Sequence, residues 1–287
     1  SHRYKTEKTK MIKIKMIFMW SILALIIISC QKRRQISYPE FYRNFDKISN
    51  QLYSSEMKPV LAKFNSISSR IHHVPSYAYY KIAKACSENN LCELAAFYLE
   101  KSLQNGKEYD KEKSPITKGK CFAKIDKVLN KEAEIHSQNF NFRYKALIDS
   151  LFVVDQKIRT DSSYDMKNII MIDSLNMCTL LHYIEKFGYP SEKLVGDKSA
   201  FDAYIMLLHM DKDKNNKILL PIIHKAYNEG YLGPIGFAWI IDRRRAWGDE
   251  NLEPYYYHIP SKKYDSFNKE QIYEINRRRD SIGLGPK

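Results

Sequence analysis

Residues 230–257, GYLGPIGFAWIIDRRRAWGDENLEPYYY, form the most sharply punctuated stretch of the 287-residue chain. A glycine-proline turn opens an apolar helical segment, which ends in Asp242 and three arginines. Three tyrosines, Tyr255 to Tyr257, follow between two prolines. Acidic, basic and aromatic side chains this close together are typical of either a structural cluster or a ligand site, and both interpretations stay open.

Helical periodicity extends from this stretch back towards the middle of the chain. The predicted helices cover about 142–160, 165–187, 198–210, 215–229 and 234–247. One of them carries apolar residues at i, i+3, i+4 and i+7, which is the spacing of one helix face: Phe201, Tyr204, Ile205 and Leu208. Gly188 and Gly230 come just after predicted helix ends, where a left-handed residue is preferred.

The first half of the chain also has a helical pattern. Residues 39–53 and 56–70 predict two amphipathic helices, and residues 107–120, which are charged and contain a proline and a glycine, predict a loop before a weaker helical region at 121–136. Ten glycines and ten prolines are few for an all-β chain of this length. We therefore predict an all-α protein, in which helical hairpins are followed by an α-helical C-terminal domain.

Residues 76–107 resemble one tetratricopeptide repeat. The packing positions of the first helix are Tyr79, Ile82, Ala83 and Cys86, and those of the second are Ala95, Leu99 and Ser102. Asn89-Asn90 form the turn between the two helices, and Gly106 ends the second helix. The small residues Ala83 and Ala95 let two antiparallel helices approach closely. The resemblance implies a protein-binding groove, and the alternative is a scaffold hairpin that packs against its neighbours.

The N-terminal region predicts a bacterial lipoprotein. Translation is expected to start at Met11 or Met16, and the uncharged run 16–29, MIFMWSILALIIIS, spans only about 21 Å as a helix, which suits a signal peptide better than a membrane span. The run ends in a serine followed by Cys30, which resembles a lipobox and implies cleavage before Cys30 and lipidation of its thiol. A short uncleaved anchor is the alternative.

These features predict four segments along the chain. They are a signal peptide at 1–29, a tether at 30–38, a tetratricopeptide-like helical region at 39–136 and a helical domain at 142–287. Removal of residues 1–29, which hold six Lys/Arg and one acid, lowers the formal charge from +14 to +9. For a protein outside the cytosol this charge favours anionic lipids or envelope polymers as partners, and not nucleic acid.

Four cysteines remain after Cys30: Cys86, Cys92, Cys121 and Cys178. They contain no CxxC pair, so a zinc site is not expected. Cys86 and Cys92 are candidates for a disulfide across a tight helical hairpin in an oxidising compartment. The alternative is that both are small buried residues.

Residues 142–284 resemble an uncharacterised bacterial family, a domain of unknown function that follows tetratricopeptide-like hairpins in envelope proteins. The matching pieces are Asp155-Gln156, Arg159, Asp173, Asn176, Gly188, Pro190, Val195-Gly196, His209, Pro221, Gly230, Asp242-Arg243, Gly248, Asn276, Arg279 and Ile282-Gly283-Leu284. At 253–257 the chain has EPYYY where the family commonly shows glutamine, tyrosine, glycine and threonine. The resemblance implies no reaction.

The candidate functional residues form one predicted polar cluster: Asp155, Gln156, Arg159, His209, Asp242 and Arg243. Each acid follows or lies between apolar residues, and a buried carboxylate is costly unless it is paired. We therefore predict a partly buried network between helices, which either holds the helices together or lines a pocket.

Two functions follow from this prediction. The first is a lipid-anchored helical binding module, in contact with the membrane through Cys30 and with a protein partner or an anionic envelope ligand. The second is a hydrolase-like enzyme that uses His209 with Asp155 or Asp242. The sequence contains no phosphate-binding glycine loop, no HExxH and no GxSxG motif, so we expect no cofactor and no metal.

Overall fold

A computed structural model describes residues 34–53, 56–109, 116, 119–160, 165–209, 212–246, 251–255 and 266–286, without the side chains of 212–216. The predicted signal peptide, Cys30 and the first part of the tether lie outside these residues. Ile36–Lys287 belong to one compact unit. Within the described residues, no helix has both the length and the apolar character that crossing a membrane requires.

The all-α prediction is confirmed, since the protein is 75% helical and the described residues include no strand. The helices are α1 Tyr38–Gln51, α2 Met57–Ser68, α3 Ser76–Glu88, α4 Cys92–Gln104, α5 Phe122–Leu129, α6 Glu132–Ser137, α7 Phe142–Thr160, α8 Met166–Phe187, α9 Glu192–Val195, α10 Asp197–His209, α11 Lys212–Asn228, α12 Pro234–Ala246 and α13 Lys269–Ser281.

Local side-chain chemistry explains several of the helix boundaries. The side chains of Ser37 and Asp165 accept hydrogen bonds from the first turns of α1 and α8. Asn268 and Gln271 form a reciprocal capping box at the start of α13, which satisfies two backbone amides that the helix leaves open. Asn90, with φ 59°, makes the tight turn between α3 and α4. Such caps contribute about 1 kcal/mol each.

The buried apolar residues form two clusters along the chain. The first runs from Ile36 to Leu129 and the second from Tyr144 to Leu284. Ala83 and Ala95 are fully buried in the hairpin of α3 and α4, so small residues do lie where the two helices meet. The hairpin is observed, but its assignment to the tetratricopeptide repeats stays a prediction.

Helix α1 joins the beginning of the compact unit to its end. The ring of Tyr38 lies so close to Gly230 that a Cβ atom there would be 2.0 Å from a ring carbon, and the φ of 79° at Gly230 also requires glycine. The backbone of Pro39 lies against Gly283 in the same way. These contacts bring residues from the two ends of the chain's helical part together.

The disulfide differs from the candidate pairing of Cys86 with Cys92. Cys92 is bonded to Cys121, with a Cα–Cα distance of 4.8 Å, while Cys86 is a free, buried thiol. The physical reason is the course of the chain, because α5 packs on α4 and places Cys121 beside the first residue of α4. Cys86 faces the core of the hairpin instead, where burial raises its pKa to about 12.

Candidate functional site

Asp155 on α7 is the centre of the polar network that the structure contains. Its carboxylate is almost completely buried, with 1% of the side chain exposed. Gln156 Nε2 donates to Oδ2 at 2.7 Å, and Arg159 Nη1 lies 3.1 Å from Oδ1. His209, the last residue of α10, places Nδ1 3.1 Å from both carboxylate oxygens. An ionised carboxylate only accepts, so Nδ1 is the donor.

Arg159 extends this network to the neighbouring helix α8. Its Nη2 donates to Asp173 Oδ1 at 2.7 Å, while its Nη1 also donates to the carbonyl of Asp155 at 2.9 Å. Burial raises the pKa of Asp173, and the Arg159 guanidinium partly opposes that shift. Asp173 was absent from the predicted cluster. The antiparallel arrangement of the predicted helices 142–160 and 165–187 is the signal that could have placed it opposite Arg159.

Arg243 on α12 influences this network through its charge. Burial lowers its pKa first, and the like charge of Arg159 lowers it further. The ionised form of Asp173 opposes these shifts. The charges of Arg159 and Asp173 therefore both act on Arg243, while its membership of the predicted cluster stays a prediction.

Asp242, the residue before Arg243, has a different neighbour. Its Oδ1 accepts a hydrogen bond from the backbone N–H of Tyr255 at 2.6 Å, and its charge contributes, after burial, to a raised pKa of Tyr255. The carbonyl of Tyr255 in turn accepts from Arg279 on α13 at 3.3 Å. Consecutive helical residues point about 100° apart, so Asp242 and Arg243 can serve different segments. The contact described for Asp242 belongs to the C-terminal segment.

The chemistry of the Asp155 network is that of a satisfied buried ion. Each oxygen of the carboxylate has more than one donor, which offsets the cost of removing the charge from water. The side chain of His209 is 16% exposed, so water has limited access to its ring. A histidine held at Nδ1 by a carboxylate is also the arrangement of a general base, and this is the feature of the network that would suit catalysis.

A groove of about 1050 Å³ lies elsewhere, between α8, α9 and α11. Its apolar walls come mainly from Leu181, Ile184, Phe187, Ile218, Ile222 and Tyr231. Asp155, His209 and Asp242 are not among the residues that line it. The groove and the predicted polar cluster are therefore separate regions of the molecule.

The two ends of the groove differ in polarity. Along α8 the lining begins at Cys178, one turn after the exposed residue Leu175. Beyond the C-terminus of α8 the lining continues with the segment before α10, which contributes Ser191 and Lys193. The lining is thus mainly apolar, with some charged residues along α8 and α11, and we call the part beyond the C-terminus of α8 the polar end.

No family model, no curated protein and no solved structure matches this chain. The resemblance of residues 142–284 to an uncharacterised family therefore stays a prediction, and the geometry carries the functional argument.

Proposed function

We propose that this protein is a lipid-anchored bacterial envelope protein whose helical body binds a ligand in the groove between α8, α9 and α11. The groove itself is the observation that carries the proposal. Its volume of about 1050 Å³ is at the upper end of the range for small-ligand sites, and its mainly apolar walls with a few polar groups are typical of binding pockets.

The alternative of a hydrolase centred on His209 is less well supported. An enzyme needs a base that reaches a bound substrate, but His209 and Asp155 lie outside the groove, and the Asp155 carboxylate is occupied by Gln156, Arg159 and His209. The one observation in its favour is the contact of 3.1 Å between His209 Nδ1 and Asp155. The contact between His209 and Asp155 is equally consistent with a purely structural role.

Two observations support a location outside the cytosol. The disulfide between Cys92 and Cys121 is typical of oxidising compartments. The lipobox-like sequence ends at Cys30, six residues before Ile36, and six extended residues span at most about 20 Å. Lipidation at Cys30 would therefore hold the helical body close to a membrane surface.

The anchor is tested by labelling cells with a clickable palmitate analogue. We expect Cys30→Ser to lose the label and to leave the membrane fraction. Cys178→Ser is the matched control, because Cys178 is an exposed free thiol and its removal should leave labelling unchanged. Equal labelling of wild type and Cys30→Ser would contradict the proposed anchor.

The groove is tested by placing a photo-crosslinking amino acid at single positions in cells. Position 218 is an exposed residue that lines the groove, and position 217 is an exposed neighbour on α11 that does not. We expect a discrete adduct from position 218 and none from position 217. Identical products from both positions, or no product from either, would argue against a ligand in the groove.

A further inference from the structure

We propose that the groove binds a single long acyl chain with an anionic head group, such as a fatty acid released from the membrane. The chain lies between α8 and α11, and the head group lies beside Lys193. This inference rests on the proposed function, because it takes the groove as the binding site and assigns its ligand.

The shape and lining of the groove fit an acyl chain. The lining residues follow α8 from Cys178 to Phe187 and α11 from Ile218 to Ala226, which corresponds to about 14 Å and 12 Å of helix. Apolar side chains form most of this surface, so a hydrocarbon chain would lose contact with water on the side that faces the groove. A recess of about 1050 Å³ holds an entire small amphiphile.

The two lysines that line the groove, Lys193 and Lys225, indicate where the anionic head group binds. Lys225, which also lines it, has Glu229 as an acidic neighbour, with Nζ 4.0 Å from Oε1. For Lys193, no carboxylate of the described residues lies within that distance. Lys193 is therefore the cation at the polar end that is available to an anion, whereas Glu185, the remaining acid of the lining, is exposed at its rim.

Lys193 is an exposed residue of the groove lining, and its charge acts on a buried histidine. The buried His73 feels the Lys193 charge, which together with burial lowers the pKa of His73 to about 4. The ring centroid of His73 lies 5.4 Å from that of Tyr231, a residue of the groove wall. His73 is consequently neutral near pH 7, and Lys193 supplies the positive charge at this end of the groove.

The test compares two photo-reactive probes of equal length, a diazirine palmitate and the corresponding diazirine alcohol. The purified full-length chain is titrated with each probe in neutral detergent, and the labelled peptides are identified by mass spectrometry. We expect labelling within 178–194 and 218–231, and roughly tenfold tighter binding of the carboxylate than of the alcohol, as one charge-assisted contact gives.

Three variants separate the head group from the chain. Lys193→Ala should remove the preference for the carboxylate and leave binding of the alcohol unchanged. Lys217→Ala removes an exposed lysine from α11 outside the groove, so it should retain the preference. Ile218→Trp narrows the apolar end from an exposed position and should weaken both probes.

Several outcomes would overturn this assignment. Equal affinities for the two probes, an intact preference in Lys193→Ala, or labelling confined to other peptides would each reject it. If position 218 crosslinks to a polypeptide and palmitate does not bind, the occupant is a partner helix and the proposed binding function survives. If position 218 yields no adduct and neither probe binds, the proposed function fails as well.

Discussion

The Asp155 network and the α8–α11 groove differ in how their polar groups are used. In the network, every donor and acceptor described for Asp155 meets a partner inside the protein, and 1% of its side chain is exposed. The groove has the opposite character, with extended apolar walls and a lysine without a described acidic partner at one end. The difference indicates that the densest polar motifs in this chain stabilise the fold, while ordinary apolar helix faces form the surface that can receive a ligand.

The largest expected effect is a loss of stability in Asp155→Ala, which tests whether the Asp155 network stabilises the fold. Asp155→Ala leaves Arg159 and His209 in a partly buried site without their shared carboxylate, so we expect a loss of about 3–5 kcal/mol in the free energy of unfolding. Chemical denaturation measures this change. Asp242→Ala is the comparison variant, and we expect a smaller loss of about 1–2 kcal/mol because it removes the hydrogen bond from Tyr255 N–H.

An Asp155→Ala protein that unfolds at the wild-type denaturant concentration would show that the network does not hold the helices together. If such a variant also lost a measurable hydrolytic activity, the interpretation of His209 as a catalytic base would gain support. Loss of stability together with retained groove labelling would instead confirm that the two regions have separate roles.

An intermediate effect concerns His73, which lies next to the polar end of the groove. Its folded pKa of about 4 is below the ordinary value of 6.5, so the unfolded chain binds its proton more readily. The corresponding stability is complete above pH 6.5 and is lost as the pH falls through 4. The charged or titratable groups that act on the ring are Lys193 and His72. The hydroxyl oxygen of Tyr38 accepts its hydrogen bond from the backbone N–H of His73, at 2.8 Å.

We expect wild type to lose about 2–4 kcal/mol more than His73→Gln between pH 6.5 and pH 4. The measurement is denaturant unfolding at a series of pH values. His182→Gln, which changes an exposed histidine on the groove, should follow the wild-type curve. Parallel curves for wild type and His73→Gln would show that His73 is accessible to protons in the folded protein.

The smallest expected effect on stability is that of Ile218→Trp, which tests whether the groove wall serves binding and not folding. Ile218→Trp changes an exposed position at the apolar end of the groove, so the free energy of unfolding should change by less than about 0.5 kcal/mol. The same variant should lose most of the binding of an acyl probe. A large loss of stability would mean that the groove wall is part of the structural core, and the contrast with the Asp155 network would then disappear.

Much of the fold could be predicted from the spacing of apolar residues. The predicted helices at 142–160 and 165–187 agree closely with α7 and α8, because a helix face repeats locally and leaves a clear pattern. The contact of Asp155 with His209 could also be anticipated, since a carboxylate between apolar residues must find partners.

The disulfide, the contact of Asp242 and the groove depend on tertiary contacts between distant parts of the chain, which local sequence patterns do not reveal. The disulfide pairs Cys92 with Cys121 because α5 packs on α4, and the sequence around Cys86 looked equally suitable. Asp242 contacts Tyr255 because the segment after α12 folds back on that helix. The groove consists of apolar residues with no distinctive motif, so only the arrangement of α8, α9 and α11 makes it visible.

The contacts of α1 with Gly230 and Gly283 have a consequence for how the protein folds. Because synthesis starts at the N-terminus, Tyr38 and Pro39 leave the ribosome long before their glycine partners. Closing such a long loop costs conformational entropy, and contacts of this sequence separation form slowly. The core of the first helices can therefore form early, while the contacts of Tyr38 with Gly230 and of Pro39 with Gly283 complete the fold last.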